Sequence, residues 1–422
     1  MKFVRLGIYV LLTFSVLAHG GVEEWARAIF EAGAGALFLG WALWFYLDKR
    51  SSLFVTPLLP PLVALSLLVL AQWAFRLSIL PYATRVEFQL LLADILVLFL
   101  AVQAFRELED WKSFVWVLMI FAFVVSIFGI LQHLTFNGKL YWFREMHYGG
   151  IPFGPYVNRN HFAAFAELTA PLALVPLVLG KVRRERVFIV AVFAVVQVGA
   201  LLLSASRGGI ISFGAELVLL AVVLVLRREK GNALIAGAAV LAVALGMVSW
   251  LGVNQILQRF SNIQPLEVSD SKRLAMARGT WHIFLDHPLF GTGLGTIQVA
   301  YPPYETLYDG KVVNHAHNDY LEALAETGIL GGLCCMWFLA LLFSESKRRL
   351  VQRDSAFAHA LQLAAIVGCC GFLVHSLVDF NLHIPANALL FFLLAILATA
   401  ELPANGSNRS VRRPTSSTSG NY

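Results

Sequence analysis

Lys181-Val-Arg-Arg-Glu-Arg186 leads into VFIVAVFAVVQVGALLLSA (187–205), then Ser206-Arg207-Gly208-Gly209, then IISFGAELVLLAVVLVL (210–226) and Arg227-Arg228-Glu229-Lys230. Each apolar run is close to the about 20 residues an α-helix needs to cross the hydrocarbon core of a bilayer. The Ser-Arg-Gly-Gly turn between them joins them as a hairpin. Basic residues cluster at the two far ends, where cytoplasmic retention of Lys and Arg places them. This pattern of apolar span, short turn and basic flank fixes a membrane-spanning, all-helical fold.

The same pattern runs along the 422 residues, which are 58% hydrophobic and only 14% charged, with a mean hydropathy of +0.71. Soluble domains carry about 25% charged residues, so the bilayer is the solvent for this chain. About twelve spans are predicted: 3–19, 27–46, 53–75, 88–105, 113–134, 161–179, 187–205, 210–226, 233–253, 321–343, 357–377 and 386–400. Lys2 and Arg5, Lys49 and Arg50, Arg106 and Lys112, the two clusters quoted above, Lys347 to Arg349 with Arg353, and Arg409, Arg412 and Arg413 all fall on one side when both termini are cytoplasmic. The net charge of +6 is thereby a topology signal and requires no nucleic-acid partner. Cys334, Cys335, Cys369 and Cys370 lie inside spans and read as packing residues. Residues 1–402 form one transmembrane domain, and 403–422, rich in Ser, Thr, Asn and Arg, read as a disordered cytoplasmic tail.

This topology leaves two long segments on the outer side, 135–160 and 254–320, and the chemistry-bearing residues gather there. Leu274, Ala277, Trp281, Phe284 and Leu285 recur at helical spacing and predict an amphipathic helix along the outer interface, ended by Pro288 and the Gly291-Thr-Gly293-Leu-Gly295 turn. No strand precedes those glycines, which excludes a dinucleotide fingerprint. Arg273 and Arg278 on this helix read either as a solvated face or as a fork of donors for phosphate oxygens. Arg159, within Asn158-Arg159-Asn160, reads either as a headgroup anchor or as a third such cation.

The second segment closes with His315-Ala-His317-Asn318-Asp319, followed by Gly328-x-x-Gly331, whose small residues permit close packing. His317 is a candidate general base. It reads alternatively as a helix cap, or, with His315 and Asp319, as a metal ligand. His375 and Asp379, spaced i and i+4, share a face and flank the turn that also holds His383.

Together these segments resemble the O-antigen ligase family of bacterial envelope glycosyltransferases. The resemblance rests on the His317-Asn318-x9-Gly328-x2-Gly331 signature, Asn158-Arg159-Asn160, Ser206-Arg207-Gly208-Gly209, the 281–295 stretch and Val378-Asp379-Phe380. It implies a GT-C-like bundle in the bacterial inner membrane with a large periplasmic loop between helices 9 and 10. It also implies inverting transfer of a glycan from an undecaprenyl pyrophosphate carrier to a lipid A-core hydroxyl, with no cofactor and no metal. By the same matching, His317 and Asp379 are catalytic; Arg159 and Arg273, or Arg278 in place of Arg273, hold the pyrophosphate; and Asn158, Asn160, Arg207, His315, Asn318 and His375 support them. Polymerisation of repeat units and transfer to protein hydroxyls are the neighbouring alternatives. A transporter is the alternative of another class, with its ionisable groups expected near the bilayer midplane.

Overall fold

A computed structural model describes residues 1–48, 52–145, 151–226, 235, 237–246, 249, 270–351 and 355–402. The end of the ninth predicted span, residues 254–269 of the second outer segment and the 403–422 tail lie outside the described residues, as do Lys49, Arg50, Arg227, Arg228, Lys230, Arg353 and the three tail arginines.

The described residues are helical and hold no named strand, only the isolated bridges Leu140 with Arg144 and Phe153 with Tyr156. In chain order the helices are α1 (Lys2–Leu17), α2 (Glu24–Leu47), α3 (Leu59–Ala74), α4 (Pro81–Ala104), α5 (Leu108–Leu134), α6 (Arg159–Val178), α7 (Val187–Leu203), α8 (Arg207–Leu226), α9 (Gly237–Gly246), α10 (Asp270–Asp286), α11 (Ile297–Ala300), α12 (Asp319–Val351), α13 (Ala356–His375) and α14 (Pro385–Thr399). Eight of them are long and apolar enough to cross a membrane, and α3, α9 and α14 are apolar but shorter. The protein is thus an all-α, multi-pass membrane protein.

Local chemistry sets the helix ends. Pro81 and Pro385 open α4 and α14 at positions where the missing N–H has no helical partner. Asn158 and Ser355 cap α6 and α13 through their side-chain oxygens. Glu107 and Asp110 form a reciprocal capping box on α5. α6 is the central helix, buried along nearly its whole length despite Pro171 and Pro176 in its interior. It packs against α13 and α7, then α5, α8 and α14. The amino ends of α6, α8, α12 and α14 and the carboxyl end of α13 meet at one end of the bundle, tied by Asp319 N–H to the Ser376 carbonyl (3.0 Å) and Asn387 Nδ2 to the His161 carbonyl (3.0 Å).

The predicted amphipathic helix exists as α10, but it buries the other stripe. Ala275, Met276, Gly279 and Ile283 face inward, and Met276 and Ile283 share a small separate core with Ile297, Tyr301 and Ala325. Leu274, Trp281 and Leu285 remain exposed.

Gly328 differs from its sequence reading. It interrupts α12 with φ 63° and ψ −167°, a backbone region confined to glycine. A Cβ there would lie 2.3 Å from the Leu289 carbonyl oxygen, because the 288–290 turn crosses the break and Ile329 N–H donates to the Pro288 carbonyl at 2.8 Å. Its neighbour is therefore a loop, and its task is to divide α12 into a short first piece and a long apolar second one. Gly328→Ala is expected to cost about 1–3 kcal/mol in backbone strain alone, more with the overlap, and to lower the unfolding midpoint of the detergent-solubilised protein. At Gly331 an added Cβ would overlap both the hydroxyl and the Cβ of Thr327, and rotation cannot move that Cβ, so Gly331→Ala is expected to lower that midpoint as well.

Candidate functional site

Asp379 lies just past the end of α13, fully buried, and three groups converge on its carboxylate. His317 Nδ1 is 3.2 Å from Oδ1, Asn160 Nδ2 donates to Oδ2 at 2.7 Å, and the Phe380 N–H donates to Oδ1 at 2.9 Å. Burial alone would push the Asp379 carboxyl up; the His317 hydrogen bond and the charges of His317, His161 and His375 outweigh it and hold it below the usual carboxylate range. An ionised Asp379 only accepts, so Nδ1 of His317 carries the proton and donates. The imidazole then presents the lone pair of Nε2 on its opposite edge, the tautomer a general base requires.

Backbone strain aims His317. Its φ is +51°, left-handed geometry that is uncommon outside glycine. The next residue takes over the helix start: Asn318 Oδ1 accepts from the Tyr320 and Leu321 N–H groups, and its Nδ2 donates to the Leu377 carbonyl at 2.9 Å. The capping role is therefore Asn318's, and the His317 side chain turns toward Asp379 with 15% of its surface exposed.

Arg273 and Arg278 part company. Arg273, half-buried on α10, donates from a guanidinium nitrogen to the Val378 carbonyl at 3.2 Å, one residue before Asp379. Arg278 is exposed on α10, five residues and about 140° further round the helix. Lys272 turns to a third direction and pairs with Asp309 and Glu305. Arg159 is the first residue of α6, buried, between the cap Asn158 and the Asp379 partner Asn160. Asn158 itself serves α6, accepting from Asn160 N–H at 2.9 Å.

His375 does not pair with Asp379 across the shared face. Its Nδ1 lies 2.9 Å from Glu167 Oε1, deep between α13 and α6. Arg207 opens α8 beside this pair, half-buried. The glycines that follow it let α8 approach closely: a Cβ on Gly208 would sit 2.7 Å from His375 Nε2, and one on Gly209 2.6 Å from the Ala163 methyl. The hairpin alone does not explain them.

His315 is separated from His317 by the left-handed turn and belongs to another cluster. Its Nδ1 lies 2.8 Å from Glu322 Oε1, while the Ala316 N–H donates to Glu322 Oε2 at 2.7 Å. His383 Nδ1 lies 3.0 Å from Asp319 Oδ1, and its Nε2 3.4 Å from Glu322 Oε1. Burial disfavours the charged form of His383, yet Glu322 and Asp319, with Glu326 behind them, push it up to about 10. Phe380 walls the two clusters apart, its ring stacked on His315 at 4.2 Å and edge-on to His317 at 4.9 Å. Gly295 and Ile297 N–H groups bind the Glu326 carboxylate at 2.8 and 2.9 Å, which is what the glycine run after Pro288 does.

Sequence reasoning missed Glu167, Glu322 and Glu326. A carboxylate inside an apolar helix is itself a signal that it faces a partner, and all three carried it.

A family model described as O-antigen ligase matches residues 189–336. Over that stretch, about a third of the chain, the protein is similar to the O-antigen ligase family. No curated protein matches the chain. The O-antigen ligase match holds Arg207, Arg273, Arg278, His315, His317 and Asn318, and stops before His375 and Asp379; Arg159 precedes it. The hydrogen bonds at Asp379 join it to His317 inside the matched segment and to Asn160, the neighbour of Arg159, before it. O-antigen ligase and polymerase proteins are glycosyltransferase-like enzymes acting on lipid-linked sugars.

Proposed function

We propose that the protein moves a glycan from an undecaprenyl pyrophosphate carrier to an acceptor hydroxyl at the periplasmic face of the bacterial inner membrane, with lipid A-core as the acceptor. The observation that carries this reading is the His317–Asp379 pair with Arg273 beside it at one end of the helix cluster. His317 Nε2 takes the acceptor proton as the hydroxyl oxygen attacks the anomeric carbon. The bond from that carbon to the diphosphate oxygen breaks with its electron pair, and Arg159 and Arg273 receive the developing charge. Fixed guanidinium donors in a dehydrated site suit that task, and attack opposite the leaving group inverts the anomeric centre. Asp379 holds the tautomer, and Asn160 holds Asp379. This transfer step uses no metal ion on the phosphates.

Mass analysis of envelope glycolipids from cells lacking the protein tests the assignment. Full-length glycan accumulating on the carrier lipid is the expected result. Single repeat units on the carrier would make the enzyme a polymerase, and an unchanged glycolipid profile would overturn both.

A further inference from the structure

The second imidazole–carboxylate cluster remains outside the transfer step. Asp319, Glu322 and Glu326, at i, i+3 and i+7, place three carboxylates on one face of the short first piece of α12, and all three are at least 96% buried. Two imidazoles from distant segments, His315 before the helix and His383 between α13 and α14, close over them. We propose that His315, Glu322 and His383 form a binding site for a divalent transition-metal ion of the zinc class, with Asp319 as the outer carboxylate that orients His383.

The geometry supports each part of this. The three candidate ligand atoms lie within 4.8 Å of one another. Two of the spacings, 2.8 Å from His315 Nδ1 to Glu322 Oε1 and 3.4 Å from His383 Nε2 to the same oxygen, bracket the about 3.3 Å between neighbouring ligands of a tetrahedral zinc ion. His383 Nδ1 is already committed to Asp319 Oδ1, which leaves Nε2 for the metal, the carboxylate–histidine–metal arrangement that fixes ring orientation in zinc sites. Asp319 is held in turn by the Leu382 N–H at 3.1 Å, and the second Glu322 oxygen by Ala316 N–H. The donor set of two nitrogens and one oxygen suits Zn²⁺ or Co²⁺ and is wrong for Mg²⁺ or Ca²⁺, which take oxygen ligands.

The ion would staple the segment before α12 to the 381–383 turn, on the two sides of His317 and Asp379. Its place is structural, and the transfer step does not pass through it.

The test reads metal, not transfer. Purified full-length protein in detergent, loaded with ZnCl₂ and freed of excess by gel filtration, is expected to retain about one zinc per chain by elemental analysis. Loading with Co²⁺ is expected to give the intense visible absorption of a tetrahedral site. His315→Ala and His383→Ala are expected to lose the bound metal, and Asp319→Asn to weaken it by about 10- to 100-fold. His317→Asn, outside the ligand set, is expected to keep it. A monodisperse wild-type protein that retains neither zinc nor a cobalt spectrum overturns the proposal, as does full retention by folded His315→Ala and His383→Ala. Should those two variants fail to fold, X-ray absorption of the zinc-loaded wild type decides: two imidazoles support the site, and none overturns it.

Discussion

His317→Asn is expected to lower glycan transfer by about 100- to 10,000-fold, the usual contribution of a positioned general base, while membrane insertion and thermal stability stay near wild type. Asparagine is the informative replacement because it tolerates the left-handed φ of +51° better than alanine does. Its amide also donates to a carboxylate, so the Asp379 hydrogen bond is retained while the proton acceptor is lost. His317→Ala removes the imidazole too but adds backbone strain, and a stability loss seen only in that variant separates the two effects. Transfer assays with lipid-linked glycan, run beside thermal unfolding of the same samples, check the expectation. Wild-type turnover by His317→Asn would remove the base assignment.

Arg273→Lys and Arg159→Lys are each expected to reduce turnover by about 100- to 1,000-fold, the scale of losing one preorganised donor to a developing oxyanion. An ammonium keeps the charge but not the planar fork that grips two phosphate oxygens at once. Arg278→Ala, on the exposed flank of α10, is expected to remain within a few-fold of wild type. The three variants thus form one comparison, read as turnover at saturating donor. Equal losses at Arg273 and Arg278 would mean that α10 as a whole attracts the anionic lipid and that Arg273 has no positioned role.

The membrane-spanning fold was legible because bilayer thickness dictates the length of each apolar run, and the described helices fall on the predicted spans, α9 covering only part of the ninth. Helix α10 was legible in extent but not in orientation. A helix with lipid on one side and protein on the other carries two apolar stripes, and periodicity picked Leu274, Trp281 and Leu285 where packing uses Ala275, Met276 and Ile283. His317 and Asp379 stood out by residue type and spacing, yet nothing in the sequence announces that the left-handed backbone of His317 turns its side chain away from His315. The i, i+4 spacing of His375 and Asp379 suggested a pair, but the helix ends at His375 and its imidazole turns to Glu167. Gly328 shows the same limit: a glycine pattern read as helix packing serves a break that only the crossing 288–290 turn explains.

Reconstitution of the purified protein into proteoliposomes with an undecaprenyl-pyrophosphate glycan and a lipid A-core acceptor measures the central claim most directly. The account predicts glycan on the acceptor, with inverted anomeric configuration, free carrier diphosphate in equal amount, and loss of both products in His317→Asn. Solute uptake without any glycosyl transfer, or transfer that proceeds equally in His317→Asn, would contradict it.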